Sequence, residues 1–180
     1  EYHVGAAVVG FRHSIPEKSD LKYAIKKYEL LLLSTAKKIN ESGSPYGYVS
    51  IGSSMVCTAG AYMSVGGMPR KKATEDFYFL QELAKFCGVN VIPDILVYPS
   101  PRPMSRVYLG TGFRMEQAQN GFNIENLNYS DFAFNILREW LELGSSSGKI
   151  DIDELLNNAE NIHPGLKEFL IHDNIENIWK

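Results

Sequence analysis

The chain has 180 residues, of which 44% are hydrophobic and 22% are charged, with a formal net charge of -3. This length suffices for one domain with a real core, or one domain with a small appendage, and the composition is typical of a soluble globular protein. The longest aliphatic run, Leu30 to Leu33, is too short to span a bilayer, and the N-terminal apolar stretch is too short for a signal peptide. Because the chain has no initial Met and begins at a strand-like stretch, we expect it to be part of a longer protein.

The charge is divided unevenly along the chain. Residues 1–114 carry 14 Lys and Arg against 9 Asp and Glu, whereas residues 115–180 carry 4 against 12. A basic first part suits a small anionic ligand, and the acidic second part argues against a nucleic-acid track over the whole surface. Cys57, Cys87 and the 4 His are too scattered for a metal-binding signature, so we predict reduced core thiols and no zinc site.

The first predicted elements are a buried strand over residues 3–11 and a long amphipathic helix from about Ser19 to Glu41. Arg12 and His13 follow the strand, and Gly43 with Pro45 ends the helix. Lysines occupy the polar faces of the helix. We interpret it as packed scaffold with a solvated face, and peripheral contact with anionic lipid is the alternative.

Residues 46–58 predict a strand that Gly52-Ser53-Ser54 interrupts, which marks either close approach of a ligand or a simple bulge. A short helix over 59–65 and a sharp turn at Gly66-Gly67 follow. Thr74 is a predicted N-cap for a helix over 75–87 that Gly88 closes. Asp76 extends the apolar stripe of that helix, which is unusual for an uninvolved aspartate.

A strand over residues 89–98, broken at Pro93-Asp94, leads into a loop stiffened by three prolines. That loop carries Arg102 and Arg106, and Gly110-Thr111-Gly112 forms a second turn that resembles, weakly, a phosphate nest. Further along, the patterns predict a helix over 131–143, a serine-rich linker over 144–148, and helices over 151–159 and 164–179.

The order of these features resembles a known family. Gly66-Gly67-Met68-Pro69 followed by Glu75-Asp76-Phe77 is similar to the second half of the catalytic domain of inverting family 2 glycosyltransferases of the GT-A type. In that family a small-residue strand precedes a turn of two glycines, an apolar residue and a proline, and an acidic pair then opens a helix. The proline-spaced loop resembles the loop after the last strand in one bacterial branch. The resemblance covers about residues 1–115.

The resemblance implies an α/β fold with two parts. Residues 1–114 would be the second half of a GT-A-like domain, with the acceptor side and the base, and residues 115–180 an acidic helical extension. The implied reaction moves a sugar from a nucleotide-diphosphate donor to an acceptor hydroxyl with inversion, as in bacterial polysaccharide synthesis. Asp76 would be the general base, although a helix start makes it a weak one, and Glu75 would orient acceptor or base. The alternative is that both acids only complement the helix dipole.

The resemblance also implies a binding surface for the donor and the acceptor. Arg102 and Arg106 would neutralise the diphosphate leaving group, helped by hydroxyls of Ser100 and Ser105, unless this is an ordinary surface loop with solvated arginines. The remaining expected substrate-binding residues belong to the two glycine-containing turns and are Gly52, Ser53, Ser54, Gly66 and Gly67. Arg12 and His13 are placed for the same pocket.

We expect the nucleotide-binding half of the family, which ends in an Asp-x-Asp metal motif, to lie outside these 180 residues. Asp151-Ile152-Asp153 spells that motif, but it lies after the acidic pair and starts a helix, so we interpret Asp151 as an N-cap. We therefore expect Mg²⁺ or Mn²⁺ in the complete enzyme, no ligand motif in this chain, and no activity from this chain alone. The implied location is the cytoplasm, with the inner face of the membrane as the alternative.

Two other functions stay open. One is a non-catalytic interaction module that forms homo-oligomers through an exposed half-domain surface and the aromatic residues Phe132, Phe134 and Trp140. The other is a nucleotidyltransferase of related architecture, which would need a phosphate-binding glycine loop near an N-terminus that we expect to lie outside this sequence.

Overall fold

The computed structural model describes residues 5–16, 19–104, 107–146, 148 and 150–179. It is a mixed α/β protein, as the sequence predicts. The described helices are α1 (Ser19–Glu41), α2 (Ala59–Ser64), α3 (Glu75–Cys87), α4 (Gly110–Gln119), α5 (Asp131–Ser146), α6 (Ile152–Ile162) and α7 (Pro164–His172). The described strands are β1 (Ala6–Phe11), β2 (Met55–Cys57) and β3 (Asn90–Val97).

The described residues fall into two compact units. The first comprises those up to Asn40 together with Pro45–Asn128, and the second comprises Glu41–Ser44 with those from Tyr129 onward. The boundary expected after residue 114 falls within α4, whose Met115 is fully buried among residues of α1. The acidic helices α5 to α7 all belong to the second unit.

The sheet of the first unit has the strand order β2-β1-β3, so β1 is the central strand. It runs antiparallel to β2 and parallel to β3. Small apolar side chains let β1 be buried on both of its faces, which is typical of a strand covered by helices. The predicted strand over 3–11 is confirmed for Ala6–Phe11, and its first two residues lie outside the described ones.

The strand that the sequence predicts to break at Pro93-Asp94 continues through both residues, but its register with β1 shifts on either side of Gly10. Proline has no N–H to donate to the ladder, so the strand bulges there. The bulge brings the Pro93 carbonyl so close to Gly10 that a Cβ on residue 10 would stand 2.5 Å from its oxygen. Gly10 is thus required by the shape of β3.

Two apolar clusters hold the first unit together. In one, Phe79, Leu80 and Leu83 of α3 pack on Ala6 and Val8 of β1. In the other, the stripe of α1 packs on Met115 of α4 and on the short 3-10 helix Ile124–Leu127. Both clusters follow from the helical periodicity of their residues, and together they fix the starts of α3 and α4.

The second unit is built from α5, α6 and α7. Leu156 and Ala159 of α6 pack on Leu170 of α7, and Trp140 of α5 covers them. The Asp151 carboxylate accepts a hydrogen bond of 2.8 Å from the Glu154 N–H, so the predicted role of Asp151 as the N-cap of α6 is confirmed.

Four predicted elements differ from the structure. The helix predicted over 164–179 ends at His172, because Asn174 adopts a left-handed backbone before the 3-10 helix Ile175–Asn177. Of residues 46–58, only Met55–Cys57 forms a strand, because the Tyr48 N–H bonds to the nearby Tyr46 carbonyl and Gly52–Ser54 forms a 3-10 helix. Gly110-Thr111-Gly112 starts α4 instead of forming an isolated turn. Helix α5 continues into the predicted linker because the hydroxyls of Ser145 and Ser146 donate to the Glu142 carbonyl and satisfy its last turn.

Two further observations concern the exposure of the cysteines and the length of the helices. Cys57 is half-buried and Cys87 is exposed, so Cys87 is not the core thiol that the sequence predicts. It ends α3 at the surface, where its thiol faces its own helix terminus. Among the described residues, no helix is both long enough and apolar enough to cross a membrane.

Candidate functional site

A cavity of about 480 Å³ opens at the start of α3 in the first unit. Its walls come from α1, from the segment before the 3-10 helix Gly52–Ser54, and from the starts of α3 and α4 with the residues that lead into them. The lining residues are Tyr28, Ser50, Lys72, Ala73, Thr74, Glu75, Asp76, Phe77, Val107, Leu109 and Gly110. The cavity therefore contains both acidic residues of the predicted catalytic pair.

The Asp76 side chain is half-buried and its position is fixed by backbone groups. The Phe77 N–H donates a hydrogen bond of 2.7 Å to Asp76 Oδ1, and the Gly52 N–H also donates to this carboxylate. The Phe77 donor is held in place because α3 is anchored on β1 through Leu80 and Leu83, which are fully buried, whereas Gly52 belongs to the 3-10 helix Gly52–Ser54 that leads into β2. Asp76 thus faces the cavity as a preorganised carboxylate, not bulk solvent.

Burial raises the pKa of Asp76 above its ordinary value, and the neighbouring charge of Glu75 raises it as well. The hydrogen bonds from Phe77 and Gly52 lower the pKa but do not outweigh burial. The sequence predicts a weak base because a helix start favours the ionised form. The structure corrects this prediction, because desolvation of the carboxyl group makes it a better proton acceptor.

Thr74 stands at the N-cap position of α3, as the sequence predicts, but its side chain does not cap the helix. Thr74 adopts a left-handed backbone with φ 63° and ψ 15°. In this conformation its hydroxyl donates to the Ala73 carbonyl and makes no capping bond to α3. A threonine with positive φ is strained, and such strain is concentrated at functional sites. Glu75, the next residue, also lines the cavity.

The three residues of the first glycine-containing turn, Gly52–Ser54, have different roles. Gly52 lies against Asp76, since a Cβ on residue 52 would stand 3.5 Å from Asp76 Oδ2. The Ser54 hydroxyl is buried and donates to the Ile51 carbonyl at 2.9 Å, so it stabilises the turn. Ser53 is exposed, and neither serine is among the described residues that line this cavity.

The second glycine turn is a sharp reversal after α2. Gly66 and Gly67 both have φ +76°, a conformation that favours glycine. A Cβ on Gly67 would stand 2.9 Å from the Tyr62 ring, whereas a Cβ on Gly66 would meet open space. The described lining of the cavity includes neither glycine.

The segment that follows the proline-spaced loop lines the cavity. The Met104 N–H donates to the Gly112 carbonyl at 3.0 Å, which ties the loop to α4. Val107 and Leu109, which follow the loop, line the cavity together with Asp76. Arg102 is exposed and is not among the described lining residues, and Ser105 and Arg106 lie outside the described residues.

His13 links α1 and α4 through its side chain and is not among the described residues that line the cavity. Its side chain is buried, with Nδ1 at 3.0 Å from Glu29 Oε2 on α1 and Nε2 at 3.1 Å from Thr111 Oγ1 on α4. Arg12 is exposed and its N–H donates to the Val97 carbonyl of β3. Neither residue lines the cavity, so the expectation that both face it is not supported by the described residues.

Sequence reasoning missed Tyr28, Ser50 and Lys72 in the cavity wall. Tyr28 belongs to the apolar stripe of α1, where its spacing is the same as that of core residues. Burial raises its pKa, the charge of Arg114 lowers it, and the charge of Asp76 raises it. No local signal marks these residues, because they meet only after α1, α3 and α4 have packed.

A second cavity of about 580 Å³ shares Lys72, Ala73, Thr74 and Val107 with the first. Its wall adds Lys71, Tyr78 and Tyr108, and the Lys71 ammonium lies 3.4 Å from the centre of the Tyr78 ring. The two cavities thus adjoin along the segment that leads into α3.

The described residues contain no group of three or more His, Cys, Asp or Glu that could hold a metal ion. The two adjacent acids of the cavity do not amount to such a set, so we derive no step through a metal. An acid whose pKa is raised, set in a cavity large enough for a sugar ring, is suited to removing a proton from a hydroxyl group. Comparisons with protein-family models, with curated proteins and with solved structures find no match to this chain.

Proposed function

We propose that the chain is the acceptor side of an inverting glycosyltransferase of the GT-A type, with Asp76 as the general base. The single observation that carries the proposal is the placement of Asp76 at the start of α3. The carboxylate is half-buried, lines a cavity, is held by two backbone N–H groups and has a raised pKa. The order of the glycine turn and the acidic pair, which resembles this family, supplies the choice of reaction.

In the proposed reaction an acceptor hydroxyl enters the cavity and donates a hydrogen bond to Asp76. As the acceptor oxygen attacks the anomeric carbon of the donor sugar, its proton passes to the carboxylate. The attack comes from the face opposite the diphosphate, and the bond from that carbon to the phosphate oxygen breaks with its electron pair remaining on the departing nucleoside diphosphate, so the configuration inverts. The raised pKa helps because it brings the affinity of Asp76 for the proton closer to what the transfer requires.

The proposal gives supporting roles to the neighbouring residues. Glu75 orients the acceptor from the same cavity wall. Arg102 and Arg106 neutralise the leaving diphosphate, with Ser105 as an additional donor. The metal expected from the resemblance, Mg²⁺ or Mn²⁺, has no ligand set among the described residues and enters no step here. Nucleotide sugars are cytoplasmic donors, so the proposed location is the cytoplasm or the inner face of the membrane.

The test is direct assay of the full-length protein with a panel of nucleotide-diphosphate sugars and glycoside acceptors. The proposal predicts release of nucleoside diphosphate coupled to a glycoside whose anomeric configuration, read by proton NMR, is opposite to that of the donor. A product with retained configuration would contradict the proposal. So would release of a nucleoside monophosphate and pyrophosphate, which would indicate nucleotidyl transfer.

A second function, self-association, is favoured by one observation. Val91 and Leu96 of β3 are 60% and 62% exposed, and among the described strands β3 pairs only with β1. An open edge that carries apolar side chains is prone to pair with another strand. Of the aromatic residues expected to mediate association, Phe132 is exposed, but Trp140 packs inside the second unit. Measurement of the solution mass, with Leu96→Lys as the edge-blocking variant, tests this function.

A further inference from the structure

Tyr28 combines burial with an unused hydroxyl on the wall of the Asp76 cavity. Its side chain is 8% exposed and lies in the cluster that joins α1 to α4. It nevertheless lines the cavity, and among the described residues its hydroxyl makes no hydrogen bond. The charges of Asp76 and Arg114 both act on this phenol. Tyr28 therefore presents a hydrogen-bond donor to the space in which Asp76 presents an acceptor.

The position does not need a phenol for packing. The apolar stripe of α1 also contains Leu21, Ala24 and Ile25, and a phenylalanine at residue 28 would fill the same space without a polar atom. Buried tyrosine hydroxyls usually find a partner, because removing the group from water without one is costly. Among the described residues the Tyr28 hydroxyl is not one of the fully buried atoms that lack a partner, so it is open to the cavity, where a ligand can replace solvent as its partner.

The two groups restrict the chemistry of that ligand. Ionised Asp76 only accepts hydrogen bonds, whereas the neutral phenol of Tyr28 can donate. An ammonium group would pair with Asp76 but offers no lone pair to Tyr28. A carboxylate could accept from Tyr28 and would be attracted by Lys72, but the two acids Asp76 and Glu75 of the same wall outnumber this cation and would repel it. A ligand with two neighbouring hydroxyls satisfies both, with one hydroxyl donating to Asp76 and the other accepting from Tyr28.

We propose that Tyr28 is a carbohydrate-binding residue of the acceptor site, which donates a hydrogen bond to the hydroxyl adjacent to the one that Asp76 deprotonates. This inference rests on the proposed function and adds to it the acceptor's chemical class, a sugar ring with a vicinal diol. Tyr28 positions the acceptor, and Asp76 alone takes the proton.

The full-length protein offers a matched control for this role. Tyr48 is a second buried tyrosine whose hydroxyl has no partner, but it lies in the β1–α3 core and not in the cavity wall. Tyr28→Phe therefore removes a hydroxyl that opens into the cavity, and Tyr48→Phe removes a buried hydroxyl without a partner, each at nearly constant shape. Both variants should fold, because loss of a polar atom that makes no hydrogen bond within the protein costs the folded state little.

The experiment titrates protein carrying ¹³C at the tyrosine ζ carbons with methyl glycosides of glucose, galactose, mannose and N-acetylglucosamine. We expect at least one glycoside to shift the Tyr28 resonance and to leave the Tyr48 resonance unmoved. Tyr28→Phe should weaken binding of that glycoside by about threefold to tenfold, which is the value of one hydrogen bond, and Tyr48→Phe should not change it. One monodeoxy analogue should lose the same factor with wild type and nothing more with Tyr28→Phe.

The inference is overturned if no glycoside moves the Tyr28 resonance, if Tyr28→Phe binds as tightly as wild type, or if glucosamine or glucuronate binds more tightly than the neutral glycosides. These outcomes are distinct from failure of the proposed function. Inverting transfer without any effect of Tyr28→Phe would reject only the inference. Glycoside binding that depends on Tyr28, without transfer from any nucleotide sugar, would reject only the transferase.

Discussion

The carboxylate of Asp76 lies against the backbone of Gly52, with Oδ2 at 3.5 Å from where a Cβ on residue 52 would stand. The Gly52 N–H donates to the same carboxylate. The sequence predicts that Gly52 allows either close approach of a ligand or a bulge. In the structure the group that approaches Gly52 is the side chain of Asp76, which lines the cavity. The contact links the turn before β2 to the start of α3.

This contact predicts the effect of Gly52→Ala. A methyl group at 3.5 Å makes an ordinary van der Waals contact, so the free energy of unfolding should change by no more than about 0.5 kcal/mol. The methyl group displaces water from the carboxylate, which should raise the pKa of Asp76 further. Titration of the Asp76 carboxyl carbon by ¹³C NMR measures the shift, with Gly60→Ala, which faces open space, as the control. An unchanged or lower pKa would show that the carboxylate moves away.

The raised pKa of Asp76 predicts how its substitution affects stability. The folded protein retains a proton on this carboxyl group at pH values where the unfolded chain, with a pKa near the ordinary 3.8, has released it. The resulting stabilisation is complete below the unfolded pKa and is lost as the pH rises through the folded pKa. Asp76→Asn, which remains neutral, should therefore have a higher Tm than wild type at neutral pH.

The same difference in Tm should shrink as the pH falls toward 3.8. Calorimetric scans across the acid range measure it, and Asp94→Asn, at an exposed position of β3, serves as the control. A lower Tm of Asp76→Asn at neutral pH would contradict the claim that burial dominates at this site.

The two glycines after α2 form a matched pair for a stability measurement. Both have φ +76°, so an alanine at either position should cost about 1 kcal/mol through backbone strain. Gly67→Ala should cost at least another 1 kcal/mol or so, because its methyl group would also meet the Tyr62 ring. Urea unfolding of the two variants separates the steric contribution from the backbone contribution. Equal losses would mean that Tyr62 moves aside freely.

The side-chain contacts of His13 with Glu29 and Thr111 predict an energetic coupling between the end of β1, α1 and α4. Thr111→Val keeps the shape of the side chain but leaves the buried Nε2 of His13 without its partner, which should cost about 1–3 kcal/mol of unfolding free energy. In a His13→Phe background the same change should cost little. A double-mutant cycle measured by urea unfolding gives the coupling, and additive losses would show that the 3.1 Å contact contributes nothing.

Much of the fold is predictable from sequence where periodicity and end signals agree. The bounds of α1 and α3 match the predicted ones because each has a continuous apolar stripe and a glycine at its end. Strand formation over 46–58 was overestimated because β-favouring residues become a strand only where a partner strand is available, and β1 pairs with only three of them.

The candidate site is predictable only in part, for a related reason. Asp76 stands out from sequence because a carboxylate on an apolar stripe breaks the local pattern. Tyr28 fits its stripe and so looks like core, although it lines the same cavity. The raised pKa of Asp76 depends on burial by elements that are distant in sequence, which no local pattern can indicate.

The most direct test of the central claim is the rate of sugar transfer by the full-length protein carrying Asp76→Asn, measured beside Glu75→Gln. Because amides cannot take the acceptor proton, Asp76→Asn should lower kcat by about 100-fold or more while the Kd for the nucleotide sugar stays unchanged. Glu75→Gln, which alters a neighbouring carboxylate of the same cavity, should retain more activity. Transfer by Asp76→Asn at a rate close to that of wild type would contradict the assignment of Asp76 as the base.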